Sequence, residues 1–242
     1  MKDSRATGDG KTVRSLSWNG HPIYYRVGAS DSEVLYKILL KKGKNAEYKV
    51  PAEVAPKVIF DIGANIGAAS LLFASLFPEA KIYAFEPVPD NFSLLARNVA
   101  AYPNIHVYPV ALGRENGHLQ MLASDSPLNF GGFSFYDKGS DSSKTIEVEM
   151  RTPQGMLAEL GLKNIDLIKV DTEGSEYNII TAFDETVLSK VRWITGELHG
   201  EQDFELLAFL SRWFDLDMRK TLRKRLFTFA GCNKEFSRQV KL

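Results

Sequence analysis

From Val58 onward the chain alternates short apolar runs with longer stretches whose apolar residues recur at helical spacing. The runs at 58–61, 81–86, 105–112, 165–170 and 191–196 read as strands. Ile66, Ala69, Phe73 and Leu76 mark one face of a helix over 66–77. A second helix near 90–101 groups Phe92, Leu95, Ala96 and Val99, with Asp90 as its cap. A third opens at Thr152-Pro153, because proline suits the first helical position. Another follows Glu176, and a last one over 201–214 buries Leu206, Leu207, Leu210, Trp213 and Phe214. Repeated strand–helix alternation with apolar strands predicts a single α/β, doubly wound domain: a mostly parallel sheet with helices on both faces.

The flanks are less regular. Residues 1–12 are small and charged and read as disordered. His21 to Val27 suits a short strand, and 31–42 a helix with Val34, Leu35, Ile38 and Leu39 inward, capped by Asp31 or Ser32. Residues 1–50 are thus expected to form a flank or lid, and 51–242 the main domain. Strands are expected at 118–123 and 145–150, with a long loop from Ser124 to Ser143 between them. Such loops are uncommon in compact domains and often functional. This one carries Phe130, Phe133, Phe135 and Tyr136 beside Gly131-Gly132, which suits an aromatic wall on a glycine hinge over a substrate. Residues 221–230 and 236–240 are expected to close the sheet as an antiparallel tail.

The strand ends carry the chemistry. Val58-Ile59-Phe60 leads into Asp61-Ile62-Gly63-Ala64-Asn65-Ile66-Gly67, a glycine-rich turn between a buried strand and a helix. The next strand ends in Glu86, where an acid suits the two hydroxyls of a ribose. A dinucleotide site would call for G-x-G-x-x-G, with a pyrophosphate on the helix N-terminus. The spacing here is G-x-x-x-G, with Asp61 and Asn65 at the mouth. An aspartate repels a pyrophosphate and suits a cofactor bearing an ammonium and a sulfonium, as S-adenosylmethionine (SAM) does. Further polar tips, Asp171 and the pair Glu197/His199, fall on the edge where open α/β sheets bind ligands.

Composition narrows the classes. Thirty basic residues balance thirty acidic ones across 242 positions, which leaves no basic footprint for nucleic acid. Cys232 is the only cysteine, so an internal disulfide and a cysteine-built metal site are excluded. Met1 to Thr12 lacks the apolar stretch of a signal peptide, and no uncharged apolar run reaches the length of a membrane span. A cytoplasmic enzyme with no membrane or nucleic-acid partner is the expectation.

With these residues in view the chain resembles the class I SAM-dependent methyltransferases, and within them the FkbM family. The resemblance rests on residues 58–67, on Phe85-Glu86-Pro87, on Val110-Ala111-Leu112-Gly113, and on Ile165 to Glu176 with its Lys-Val-Asp-x-Glu-Gly-x-Glu pattern. It implies a Rossmann-like seven-stranded sheet and methyl transfer, commonly to a hydroxyl of a sugar or natural product. By the same resemblance Asp61, Gly63, Ala64, Asn65 and Gly67 would line the methionine part of SAM, Glu86 and Pro87 the ribose, and Val110 and Ala111 the adenine. Methylation of nitrogen or of a peptide side chain, and a non-catalytic nucleoside-binding module, are the competing readings.

A hydroxyl acceptor needs a base, or a cation that lowers its pKa. Asp171 and His199 are the candidate catalytic residues, one orienting the acceptor oxygen and the other taking its proton. Asp171, Glu197 and His199 could instead hold one Mg²⁺ or Mn²⁺. Metal-dependent catechol-type methyltransferases, however, carry a lysine three residues after the first aspartate, where this chain has Gly174.

Overall fold

The computed structural model of the chain describes residues 10–41, 47–122, 145–199, 202–220 and 227–240. The aromatic loop expected over 124–143 and most of the expected disordered start lie outside them. The core is a sheet of seven strands. In chain order these are β3 (Val58–Ile62), β4 (Lys81–Phe85), β5 (Ile105–Tyr108), β9 (Leu167–Val170), β10 (Trp193–Leu198), β11 (Phe214–Lys220) and β12 (Phe227–Asn233). Their spatial order is β11-β12-β10-β9-β3-β4-β5. The five from β10 to β5 run parallel; at one edge β12 is added antiparallel to β10, and β11 antiparallel to β12, so that β11 again shares the direction of the five. Succession along the chain runs outward from β3 to β5 on one side and from β9 to β10 on the other. The order therefore reverses between β3 and β9, which is where ligands bind in such sheets.

Side-chain alternation assigns each strand residue to a face. Phe60, Ile62, Ile168, Val170 and Ile194 pack on the side of α5 (Glu176–Ile180), α6 (Glu185–Leu188) and α7 (Asp203–Leu210). Ile59, Ile82, Ala84 and Leu167 face α2 (Ala68–Leu76) and α3 (Pro89–Val99), through Leu71, Phe73, Leu94 and Leu95. By the same alternation Asp61 and Lys169 fall on the α2 side as directly registered partners on adjacent parallel strands. Helices thus cover both faces, as the pattern predicts.

Four elements depart from expectation. The run 105–112 is two strands, because Pro109 interrupts it: β5 stays in the main sheet, and β6 (Val110–Leu112) turns away. β6 joins β7 (Gly117–Leu122) and β8 (Thr145–Arg151) in a separate sheet ordered β6-β8-β7. The helix over 201–214 stops at Leu210, and Phe214 instead opens β11, with its aromatic ring fully buried. Residues 234–240 form α8 rather than a strand, because the Asn233 side chain accepts the amides of Glu235 and Phe236 at 2.9 and 3.4 Å and caps a helix there. The remaining α4 (Pro153–Glu159) begins as expected, with the Thr152 hydroxyl accepting from Gly155 N at 3.0 Å.

The N-terminal flank packs onto this core. β1 (Val13–Trp18) and β2 (His21–Arg26) form a hairpin turned at Asn19-Gly20, both at positive φ. Gly10 and Thr12, expected to be disordered, extend its pairing through backbone hydrogen bonds to Val27. The helix predicted over 31–42 is α1 (Asp31–Leu35) continued by a π-helical turn at Tyr36–Leu40. Arg26 and Asp31 form a buried bidentate pair at 2.9 Å, and Arg26 Nη2 also donates to Asn91 Oδ1 of α3 at 2.8 Å. Asn98 of α3 ties down the hairpin by exchanging hydrogen bonds with the backbone of Tyr24.

Replacing one member of a buried pair strands its partner, typically at a cost of about 3–5 kcal/mol. Arg26→Ala should therefore lower the melting temperature by roughly 10 °C or more in a chain of this size. Calorimetric melting of the variant checks this, and a shift below about 3 °C would show that the flank is only loosely attached.

Candidate active site

A cavity of about 410 Å³ opens at the C-terminal ends of β3, β4, β9 and β10, a volume in the range of small-molecule sites. One wall is the turn after β3. Gly63 and Ala64 donate their amides to Phe85 O, both at 3.0 Å, which folds the turn against β4. Gly63 has φ +75°, and a Cβ there would lie 1.9 Å from the backbone oxygen of Asp171. Glycine is thus required because two strand ends nearly touch. Asn65, also at positive φ, donates its amide to Glu86 Oε2 at 2.8 Å. Val88 N donates to Glu86 Oε1 at 3.0 Å, and the Asn91 amide lies at 3.5 Å. Burial pushes the Glu86 carboxyl up from its usual range, while these hydrogen bonds and Lys169 pull the other way.

Of the residues expected to hold the cofactor, Gly63, Ala64, Asn65, Glu86, Pro87, Val110 and Ala111 line the cavity. Asp61 and Gly67 do not. Asp61 is fully buried: Oδ1 lies 3.2 Å from Lys169 Nζ and Oδ2 accepts from the Ser70 hydroxyl at 2.6 Å. Both carboxylate oxygens thus face partners inside the protein. Gly67 has φ +92° at the start of α2, and a Cβ there would press on Leu95 at 2.9 Å. Its role is to let α2 lie against α3.

The facing wall comes from the tips of β9 and β10. Asp171, Glu173, Glu197 and His199 line it. The His199 side chain is 7% exposed and is gripped between carboxylates, Nδ1 at 3.3 Å from Glu176 and Nε2 at 3.1 Å from Glu197. Asp171 Oδ1 and Glu173 Oε2 lie 3.9 and 4.0 Å from Nε2. Burial works against its charge, but these acids prevail and raise the imidazole to about 11. In that setting the imidazole holds its proton at neutral pH, with its two ring nitrogens facing Glu176 and Glu197. Burial opposes the charge of Glu197 as well, yet hydrogen bonds from His199 and Glu47 hold it down at about 2. Burial and Glu197 in turn push Glu47 up to about 8, so Glu47 keeps the proton of that pair. Asp171 is raised by burial and by Glu197, against Lys169 and His199.

Four residues of this site escape the sequence reading. Lys169 is a charge inside an apolar strand, and that alone could have flagged it. It donates to Gly63 O at 2.6 Å and Ile62 O at 3.3 Å, and its Nζ lies 3.9 Å from Asp171. Burial opposes its charge, but Asp61 and Asp171 leave its pKa raised. Glu176 folds back on its own turn, accepting from Thr172 N at 2.8 Å and Gly174 N at 3.1 Å. Tyr48 and Glu47 arrive from the flank, and no local pattern marks them. Among the described residues, Asp171, Glu197 and His199 form a set whose ligand atoms lie within 4.8 Å of one another. No helix of the described residues is long and apolar enough to cross a membrane.

Comparison with known proteins places this geometry in context. The Methyltransferase FkbM domain profile matches residues 61–229. The AMB antimetabolite synthetase AmbE of Pseudomonas aeruginosa is 27% identical over 60% of this chain, a stretch that spans only 8% of AmbE. The 31-O-demethyl-FK506 methyltransferase FkbM of Streptomyces tacrolimicus is 27% identical over 75% of this chain and 79% of its own length. Among solved structures, a fibrillarin/Nop5p complex shares the fold at a TM-score of 0.51 and 16% identity, covering 90% of this chain and 87% of that one.

The charge pattern has a consequence for stability. His199 has a folded pKa of about 11 against an ordinary 6.5, so its contribution is complete below 6.5 and is lost as pH rises towards 11. Glu47 and Glu173, raised to about 8 and about 7, also favour the folded state at lower pH. With chelator and no cofactor, the melting temperature should fall as pH rises from about 6 to 10. The gap between wild type and His199→Gln should narrow over the same window. A gap that stays constant across these pH values would remove the charged histidine from the account.

Proposed function

The chain belongs to the FkbM methyltransferase family, and we propose that it moves a methyl group from SAM to a hydroxyl of a small molecule, such as a sugar or natural product. One observation carries the reading: a single cavity joins a nucleoside-type cradle, Glu86 with the Asn65 turn, to a polar wall built on Asp171 and His199. The cradle fits SAM. Asn65 Oδ1 and Ser30 Oγ are buried without a protein partner and belong to residues lining the cavity, which suits the polar methionine end. Glu86 suits the ribose hydroxyls, and Val110, Ala111, Leu112 and Met121 offer an apolar bed for adenine. When bound, SAM supplies a methyl group already activated as a sulfonium. The chain's own task is then to align an acceptor oxygen and take up its proton.

Asp171 is the better proton acceptor of the two candidates. Its raised pKa moves it towards the working range of a general base, whereas His199 already holds its proton. Both N–H groups of the imidazolium are taken up by Glu176 and Glu197, so His199 acts on the acceptor through its positive charge beside Asp171.

A second reading is a divalent cation held by Asp171, Glu197 and His199. It is favoured by the way Glu176 faces Nδ1 while Nε2 faces the other two ligands. That outer arrangement aims imidazoles at metals. A Mg²⁺ or Mn²⁺ there would lower the acceptor's pKa.

Glu86→Ala should weaken SAM about 10- to 100-fold in titration calorimetry, because a charge-assisted hydrogen bond is worth about 1.5–3 kcal/mol. Unchanged affinity in a folded variant removes the ribose assignment. Asp171→Ala should lower turnover by about 10²–10⁴-fold with SAM affinity kept. Activity abolished by EDTA and restored by Mg²⁺ or Mn²⁺ selects the cation reading, and activity indifferent to EDTA selects Asp171 as base. An acceptor panel of hydroxyls and amines decides between oxygen and nitrogen.

A further inference from the structure

Tyr48 enters the site from the flank, between the described segment ending at residue 41 and the short 3₁₀ turn Ala52–Val54. It is 2% exposed, and its ring packs on Phe73 at 6.5 Å between centroids. A buried phenol needs a partner for its hydroxyl, and a backbone carbonyl would serve. This one donates instead to Asp171 Oδ2 at 2.8 Å, across 123 residues of sequence. Lys169 Nζ sits 3.9 Å from the same oxygen and 5.8 Å from the Tyr48 ring. The other oxygen, Oδ1, is the one nearest His199. The two oxygens of Asp171 are thereby made inequivalent: one is committed to the interior, and one is turned to the facing wall of the cavity.

We propose that Tyr48 is a positioning residue for methyl transfer, fixing Asp171 so that Oδ1 alone meets the acceptor. The inference rests on the reading of Asp171 as the acceptor-side residue, and it holds whether Oδ1 takes a proton or binds a cation. Without the phenolic hydroxyl the carboxylate is free to turn about its side-chain bonds and exchange its oxygens. Misplacement of a reacting group by about 1 Å can cost on the order of 10²-fold in rate. The cofactor cradle lies on the other wall and is not touched by the change.

The test is a double-mutant cycle on the intact chain, with kcat, acceptor KM and SAM affinity measured for Tyr48→Phe, Asp171→Asn and the pair. Tyr48→Phe should lower kcat roughly 10- to 100-fold, with KM and SAM affinity within about threefold. On the Asp171→Asn background the same change should cost less than about twofold, because its target is gone. Two results overturn the proposal while leaving the active-site reading intact: a near-wild-type kcat in Tyr48→Phe when Asp171→Asn is inactive, or equal losses on both backgrounds, which would make Tyr48 a packing residue. Near-wild-type turnover in Asp171→Asn would instead remove the reading underneath, and the proposal with it. If Tyr48→Phe alone does not fold, as judged by SAM binding and melting, the double variant decides. The neutral amide introduced by Asp171→Asn removes the buried charge the phenol satisfies, so positioning requires the pair to melt close to Asp171→Asn, and a pair that also fails to fold overturns it.

Discussion

The buried pair of Asp61 and Lys169 is the constraint on which the rest of the site depends. The two residues face each other in register on neighbouring parallel strands, at 3.2 Å, with almost no exposure. Burying a lone lysine or aspartate is costly, so each is tolerable only because the other is there. Lys169 also donates to the carbonyls of Ile62 and Gly63, the residues that begin the cofactor turn. It therefore holds the end of β3, the end of β9 and the first step of the turn in one arrangement. Gly63 permits the close approach, and Ser70 returns the hold to α2 through Asp61. The cradle and the facing wall have a common anchor, and their spacing is set before any ligand arrives.

Around that anchor the cavity is rich in acids and poor in cations. Glu33, Glu47, Glu86, Asp171, Glu173 and Glu197 line it, with Lys37, Lys169 and His199 as the basic residues. The strained carboxyls answer by keeping protons, Glu47 and Glu173 most clearly. A site in this condition favours a ligand that brings positive charge, because the cation replaces protons the carboxylates hold only under burial. SAM fits that requirement through its sulfonium, and its neutralised product fits it less well.

Much of the fold was legible in the sequence because strand–helix alternation runs from Val58 to β5 and resumes from α4 to α7, and the strands are apolar. The cradle was legible too, since Gly63, Asn65 and Glu86 sit within one βαβ unit whose geometry is local. What could not be read was pairing at a distance. Asp61 reads as a ligand-facing acid until its partner Lys169 is known, and nothing near Tyr48 announces that it will reach Asp171. The setting of His199 was hidden for a related reason: its carboxylate neighbours Glu176, Glu197, Asp171 and Glu173 come together only in the fold. At the carboxyl end, β11 was hidden because Phe214 continues the apolar spacing of α7, while α8 depends on a single capping asparagine.

The small sheet β6-β8-β7 has a consequence of another kind. Leu122 and Thr145 are paired partners at the open end of β7 and β8, so the stretch between them leaves and rejoins the fold at one point. For a closed stretch of this sort, doubling the length costs only about 0.6 kcal/mol in chain entropy. Its neighbour in the sheet, β6, carries Val110 and Ala111 into the cavity, so that point of departure belongs to the same small sheet as the cofactor bed. The Leu122–Thr145 pair thus fixes where that stretch is attached, beside the strand that carries Val110 and Ala111 into the cavity.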